Sequence, residues 1–209
     1  GCDDTSVTLL YPKTLPVFDL SDPKQRRIQE VFQDALDRGL PSIHGKMWAY
    51  RGQNVKLNVF DFTVSRHRDG PEWFFADYKG KLLGDCWHGF EAIAVSSQGR
   101  IERAACNAHA RRKFENSSAY PEDRKRWLRW YQQLYDIEER GRALSLEERL
   151  ALRQTEARPI WATMEDWLEE VKQRTTRVIL PKSDLAKALQ YVRNHAVELQ
   201  RYLGDPHLP

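Results

Sequence analysis

The sequence predicts an α/β protein in which a mixed sheet core with helices is followed by an all-helical subdomain. Three observations lead there. Up to Cys106, β-branched and aromatic runs bounded by turn residues alternate with short helical patterns. From Ala108 onward the apolar residues recur only at helical spacing. The chain of 209 residues is 41% hydrophobic, with seven Trp, eight Tyr and eight Phe, which is ample for one packed core despite 30% charged residues.

Taken in order, Thr5 to Leu10 is a β-branched run that reads as a strand, ended by the Pro-containing stretch from Tyr11 to Pro16. Ser21-Asp22-Pro23 supplies an N-cap and an early helical proline. Ile28, Val31, Phe32, Ala35 and Leu36 follow on one helical face, and Gly39 ends it. Met47 to Tyr50 and Val55 to Val64 read as two strands of a hairpin turning at Arg51-Gly52-Gln53-Asn54. After the loop Ser65 to Pro71 come a short helix around Trp73 to Tyr78 and a brief strand, Lys81 to Gly84, that delivers Asp85 at its end. A helical turn near His88 to Ala92 and a strand from Ile101 to Cys106 complete the mixed part.

Beyond it, Trp127, Trp130, Tyr131, Leu134 and Ile137 repeat at three and four residues. So do Trp161, Met164, Leu168 and Val171, and Leu185, Leu189, Val192, Leu199 and Leu203 continue the pattern. These stripes read as core rather than as a base-stacking platform. Ser145 with Glu148 has the form of a capping box, and Pro181-Lys182-Ser183 breaks the chain before the last helix. The domain boundaries expected are 1–119 for the core, with an inserted helix at about 21–39, and 120–209 for the helical subdomain.

The net charge of +3 is too small to indicate nucleic acid by itself, but between Arg100 and Trp130 nine basic residues face four acidic ones. That stretch is a candidate phosphate-facing surface, although a solvated helix face explains Arg124 to Arg129 at least as well. Three cysteines without disulfide spacing suit a reducing cytoplasm better than secretion, and no apolar run is long enough to span a bilayer. The opening Gly-Cys-Asp-Asp, without an initiator Met, suggests a piece of a longer protein.

Four groups of residues can carry chemistry. Asp85 ends an apolar strand, where side chains of an α/β fold converge on ligands; read from position alone, it is more simply a cap of the following helix. Asp3 and Asp4 precede the first predicted strand. Asp61 lies on the Val59 and Thr63 face of its strand, where a third acid or plain solvent exposure is open, the latter simpler. Cys106 and His109 have metal-ligand spacing, yet a structural zinc ion needs about four ligands and no second paired motif supplies them. His109 at a helix start, hydrogen-bonded or near phosphate, is the better reading.

Three segments together resemble the insertion-sequence-66 transposases: Asp3-Asp4-Thr5-Ser6-Val7, Gly84-Asp85-Cys86-Trp87-His88-Gly89-Phe90, and Cys106-Asn107-Ala108-His109-Ala110-Arg111-Arg112-Lys113-Phe114. The last, nine residues long, is the most specific. Looser similarity covers Val59 to Pro71, Leu144 to Gln154 and Leu180 to Tyr191. The resemblance implies a ribonuclease-H-like fold and a DDE acid triad, with Asp3 and Asp85 as catalytic metal ligands for Mg²⁺ or Mn²⁺. The third acid, a Glu, is expected beyond Pro209. It further implies Arg111, Arg112 and Lys113 as DNA-backbone contacts, Cys106 and His109 in a supporting role, transposon-end and target DNA as partners, and a homo-oligomer as the active form. The departures are Asp4 where the family pattern has Glu, Ser6 for Pro, Cys86 for Gly, and an insertion from Tyr11 to Gly45. On this reading the chain alone binds metal weakly and cuts nothing. A DNA-binding or assembly module, or a domesticated inactive relative, are the rival functions.

Overall fold

In a computed structural model of the chain, which describes residues 1–10, 13–53, 55–176 and 178–209, two compact units follow one another, Gly1–Arg103 and Ala104–Pro209. The expected boundary at 119/120 and this division differ by one helix, Asn107–Glu115. Tyr11, Pro12 and the tip of the predicted hairpin turn, Asn54, lie outside the described residues.

The first unit carries an antiparallel three-stranded sheet, β1 (Cys2–Leu9), β2 (Ile43–Arg51) and β3 (Asn58–Thr63), in sequence order. The long connection from β1 to β2 contains α1 (Pro23–Asp37). Asp22 caps it by accepting from the Lys24 N–H, with Pro23 at the first helical position. Ala35 of this helix is buried with Ile43 and Val64, against Ile28, Val31 and Phe32, as its 3.6-residue spacing requires. After β3 come α2 (Asp69–Phe74), β4 (Gly80–Gly84), α3 (His88–Ser96) and β5 (Ile101–Ala105), which pairs with β4. Two expectations shift. The short helix forms earlier than Trp73–Tyr78, with Asp69 and Glu72 in its first turn, where acids favour the helix dipole. The first strand starts at Cys2, so Asp3 and Asp4 lie within it rather than before it.

Register fixes which faces these residues occupy. Asp4 pairs with Trp48 and Trp48 with Asp61, whereas Asp3 pairs with Ala49 and Ala49 with Phe60. Side chains alternate across a strand and directly opposite residues share a face, so Cys2, Asp4, Trp48 and Tyr50 form one set and Asp3, Ala49 and Phe60 the other. The first set is the inner one: Cys2, Trp48 and Tyr50 are buried with Phe75, Leu82, Phe90, Ile93 and Ile101.

The second unit is helical throughout after β5: α4 (Asn107–Glu115), α5 (Pro121–Gly141), α6 (Leu146–Leu152), a π-helical turn (Arg153–Ala157), α7 (Arg158–Lys172), α8 (Asp184–Asn194), α9 (Ala196–Gln200) and a closing 3₁₀ turn (Arg201–Gly204). The aromatic stripes are core, as their spacing predicts. Trp127, Tyr131, Leu134, Ile137, Trp161, Met164 and Leu168 are buried, and the Phe114 and Trp127 rings stack 4.5 Å apart. The capping box at Ser145 forms, its hydroxyl accepting from the Glu148 N–H while the Glu148 carboxylate accepts from the Ser145 N–H. Ser183 likewise caps α8 through the Ala186 N–H. No helix among the described residues is long and apolar enough to cross a membrane.

Candidate active site

The site assembles where the inner face of β1 meets the end of β4. Asp4 is nearly closed off from solvent, its side chain 5% exposed, a position a carboxylate holds only with partners. Lys46, on the neighbouring strand, reaches its Oδ2 at 2.8 Å. Arg66 donates to Oδ1 through Nε at 3.0 Å and Nη2 at 2.7 Å. The same Nη2 donates to Asp85 Oδ2 at 3.1 Å. Asp4 and Asp85 therefore hold one nitrogen between them, and their oxygens lie within two hydrogen-bond lengths of each other.

Local structure delivers each of these groups. The β4 strand ends at Gly84, and Asp85 turns the chain by accepting the Trp87 N–H on Oδ1 at 3.2 Å. The helix itself starts from Trp87, whose side chain makes no cap hydrogen bond, so Asp85 shapes the turn ahead of α3 without capping it. The Trp87 ring lies against Gly89, where a Cβ would come within 2.2 Å of it, so glycine is required for this ring position. That ring packs on Trp48 with centroids 5.2 Å apart and carries the Arg66 guanidinium 5.2 Å above its centre. A hydrogen-bond chain holds the loop bearing Arg66: Trp48 Nε1 donates to Thr63 Oγ1 at 2.8 Å, and that hydroxyl donates to the Ser65 carbonyl at 2.7 Å. Beneath the acids the Cys2 thiol is pushed up, by burial first and then by the neighbouring aspartates, and stays protonated.

Asp3 is placed differently from the expectation. It is exposed, on the opposite face of β1 from Asp4, and its Oδ1 accepts from the Asp4 N–H at 2.9 Å. Asp85 thus meets Asp4 through Arg66, while Asp3 lies on the other face of β1. The reason is strand parity, since adjacent residues cannot share a face. Sequence reasoning also missed Lys46 and Arg66; the basic run Ser65-Arg66-His67-Arg68 directly after a strand is the signal that marks Arg66. Asp61 is half-buried and accepts from the Phe62 N–H.

The expected DNA-contact triplet separates in the second unit. Arg111 bonds Glu115 and lies 5.8 Å over the Tyr135 ring, Arg112 is exposed in the last turn of α4, and Lys113 stands 4.5 Å over Tyr191. Cys106 precedes α4. Burial works against its ionisation, but a hydrogen bond from His109 and the backbone N–H groups of Ala108 and His109 outweigh this and hold the thiol below its ordinary value. Among the described residues no three His, Cys, Asp or Glu side chains form a metal-binding group.

A sequence profile described as the transposase IS66 family matches residues 40–209. The chain belongs to the IS66 transposase family. The uncharacterized protein y4hP of Sinorhizobium fredii is 31% identical over 199 residues, which is 80% of this chain and 36% of that protein. A second uncharacterized protein of the same organism, y4jD, is 29% identical over 151 residues, 69% of this chain and 29% of its own. The chain thus spans about a third of the length of the curated relatives it matches. No solved structure matches it.

Proposed function

We propose that this chain is part of the catalytic domain of a DNA transposase, with a ribonuclease-H-like core that cleaves and joins DNA strands at transposon ends. One observation carries the reading: Asp4 on β1 and Asp85 at the end of β4 converge on a single cationic nitrogen. Such a pair of hard oxygen donors, already organised around positive charge, suits Mg²⁺ or Mn²⁺, which take few protein carboxylates and keep several waters. Asp85 and the Asp3–Asp4 pair of β1 would hold such an ion, Asp4 being the member that shares Arg66 with Asp85. When bound, such an ion activates the attacking oxygen and stabilises the leaving oxygen at a phosphodiester.

The protein's own groups do the rest. Lys46 and Arg66 neutralise the acids, and the Arg66 guanidinium, held by Asp4 and Asp85 but 39% exposed, is accessible to a DNA phosphate. The Trp87 N–H fixes the Asp85 carboxylate, while Trp48, Trp87 and Phe90 close the apolar floor beneath it.

The test is strand cleavage of transposon-end DNA by a chain extended to the length of its relatives, with Mg²⁺ or Mn²⁺. Asp85→Asn and Asp4→Asn should abolish it. Cleavage that persists in Asp85→Asn sinks the mechanism, and loss in Asp3→Asn with retention in Asp4→Asn moves the β1 ligand to Asp3. A second reading, an assembly or DNA-binding module without catalysis, draws on the same contacts, because Lys46 and Arg66 already satisfy both acids as a purely structural network would. On that reading Mn²⁺ leaves Trp fluorescence of the chain unchanged. The enzyme reading expects Mn²⁺ to quench it through Trp87, and Asp85→Asn to remove the effect.

A further inference from the structure

A groove of about 630 Å³ opens in the second unit between the end of α7, the segment that follows it, and α8. Lys113, Lys172, Arg174, Lys187 and Arg193 line it, with His195 beside them, and among the described residues no carboxylate does. Two other surface cavities of the same unit are mixed. One sets Arg126 and Arg129 against Asp166 and Glu170, and another sets Arg126 and Arg174 against Glu122, Asp123 and Glu170. Single-sign lining is thus a property of this groove and not of a generally basic surface.

Sequence explains how the charge is sorted. On α8, Leu185, Ala188, Leu189 and Val192 are buried, which satisfies the packing demand of the helix. Lys187, Gln190, Tyr191 and Asn194 recur at three and four residues on the remaining face and turn to the groove. The Lys113 ammonium sits 4.5 Å over the Tyr191 ring, so α4 and α8 present their cations side by side. Arg193 is tied down by donating to the Leu168 carbonyl at 2.6 Å. The acids that accompany the other cations stand outside the groove: Glu169 with Lys172 at 2.6 Å, Asp184 with Lys187 at 3.0 Å, and Asp123 and Glu170 with Arg174 at 3.2 and 3.3 Å. The first two pairs are solvated, so a phosphate oxygen can replace the carboxylate at little cost.

We infer that this groove binds the phosphate backbone of duplex DNA without reading sequence, with Lys113 and Lys187 as direct contacts. The inference rests on the transposase reading and adds a DNA-holding surface within the second unit. Partner choice follows from the lining: several donors and no acceptor charge match a polyanion, and the tyrosine ring is already covered by Lys113 and so is not offered as a base-stacking surface.

The experiment measures binding of the chain to a fluorescein-labelled duplex of arbitrary sequence by anisotropy across a salt series. Each lost phosphate contact lowers the magnitude of the slope of log K against log salt by about 0.9. Lys113→Ala with Lys187→Ala should therefore make it shallower by about 1.8, whereas Lys79→Ala, an exposed lysine outside the groove, should leave it unchanged. As a check that needs no substitution, Lys113 and Lys187 of the unaltered chain should be protected from acetic anhydride by the duplex while Lys79 stays reactive. Binding with an unaltered slope in the double variant, or no protection, overturns the groove and leaves the transposase reading standing. If the unaltered chain shows no salt-dependent binding at all, the groove and the DNA contact assumed in that reading fall together.

Discussion

Replacing Arg153 by Met should be among the most damaging single changes outside the site. The Arg153 side chain is fully buried. Its guanidinium donates to the Glu138 carboxylate at 2.8 and 2.5 Å, and to the carbonyls of Tyr202 and Asp205 at 2.9 Å and of Leu208 at 2.8 Å. It therefore gathers the last carbonyls of the chain onto the π-helical turn that it begins. Met occupies similar volume, so the cavity contribution is small. What remains is a carboxylate, 21% exposed, without its partner, a Leu208 carbonyl that has lost this donor, and Tyr202 and Asp205 carbonyls left with the backbone N–H groups of Asp205 and Leu208. Removing one member of a buried ion pair costs about 3–5 kcal/mol. Each kcal/mol moves the midpoint of a protein of this size by roughly 2–4 °C, so a loss of about 4 kcal/mol lowers the thermal midpoint by about 8–16 °C. Circular dichroism melting of the chain measures it. Adding Glu138→Leu should recover much of the loss, because the orphaned charge is then gone. A drop of under about 1 kcal/mol, or a double variant no better than the single one, would refute the assignment of the stability to this pair.

Three further outcomes follow from the same geometry. Asp4→Asn should cost about 1.5–3 kcal/mol in urea unfolding, the worth of hydrogen bonds to a charged group, while Asp3→Asn stays within about 0.5 kcal/mol; equal losses would mean that β1 is registered otherwise. Cys106 should react with iodoacetamide at a lower pH than an ordinary thiol, since its thiolate is present above a lowered value; His109→Ala should raise the reactive pH, and Cys2, pushed the other way by burial, should stay unlabelled in the folded chain. Burial opposes ionisation of Asp69, but Arg27 at 2.7 Å and His67 prevail and lower its value. Its contribution is therefore present above the ordinary aspartate value of about 3.9 and lost as pH falls through the lower folded one, so the stability gap between the unaltered chain and Arg27→Gln should close in acid.

The helical half of this fold is legible because its signals are local. Ser145 and Ser183 announce caps, and the Trp127 and Trp161 stripes announce faces, through hydrogen bonds and contacts within one or two turns. Pro23 and Asp22 do the same for α1. What sequence leaves open is set by pairing across long separations. Arg66 reaches Asp4 across 62 residues, and nothing near either residue encodes the meeting. Arg111 and Lys113 read as equivalent basic residues beside Arg112, yet the first is engaged by Glu115 and Tyr135 and the last turns to Tyr191, because two residues along a helix point about 200° apart.

The clearest case is the acid pair on β1. The resemblance points to an aspartate near position 3, but the side-chain period of a strand is two, so a slip of one residue exchanges Asp3 for Asp4 beside Asp85. Only the partner strand decides. Trp48 and Tyr50 are too large and apolar to face water, and with both turned inward the antiparallel register sets Asp4 opposite Trp48 and Cys2 opposite Tyr50. Shifting β1 by one residue would bury Asp3 and Thr5 and expel Cys2 from the core, and would separate Lys46 from its carboxylate. The identity of the β1 acid thus rests on two aromatic residues more than forty positions away. Trp48→Ser is accordingly the substitution that should loosen the register, and with it the choice between Asp3 and Asp4.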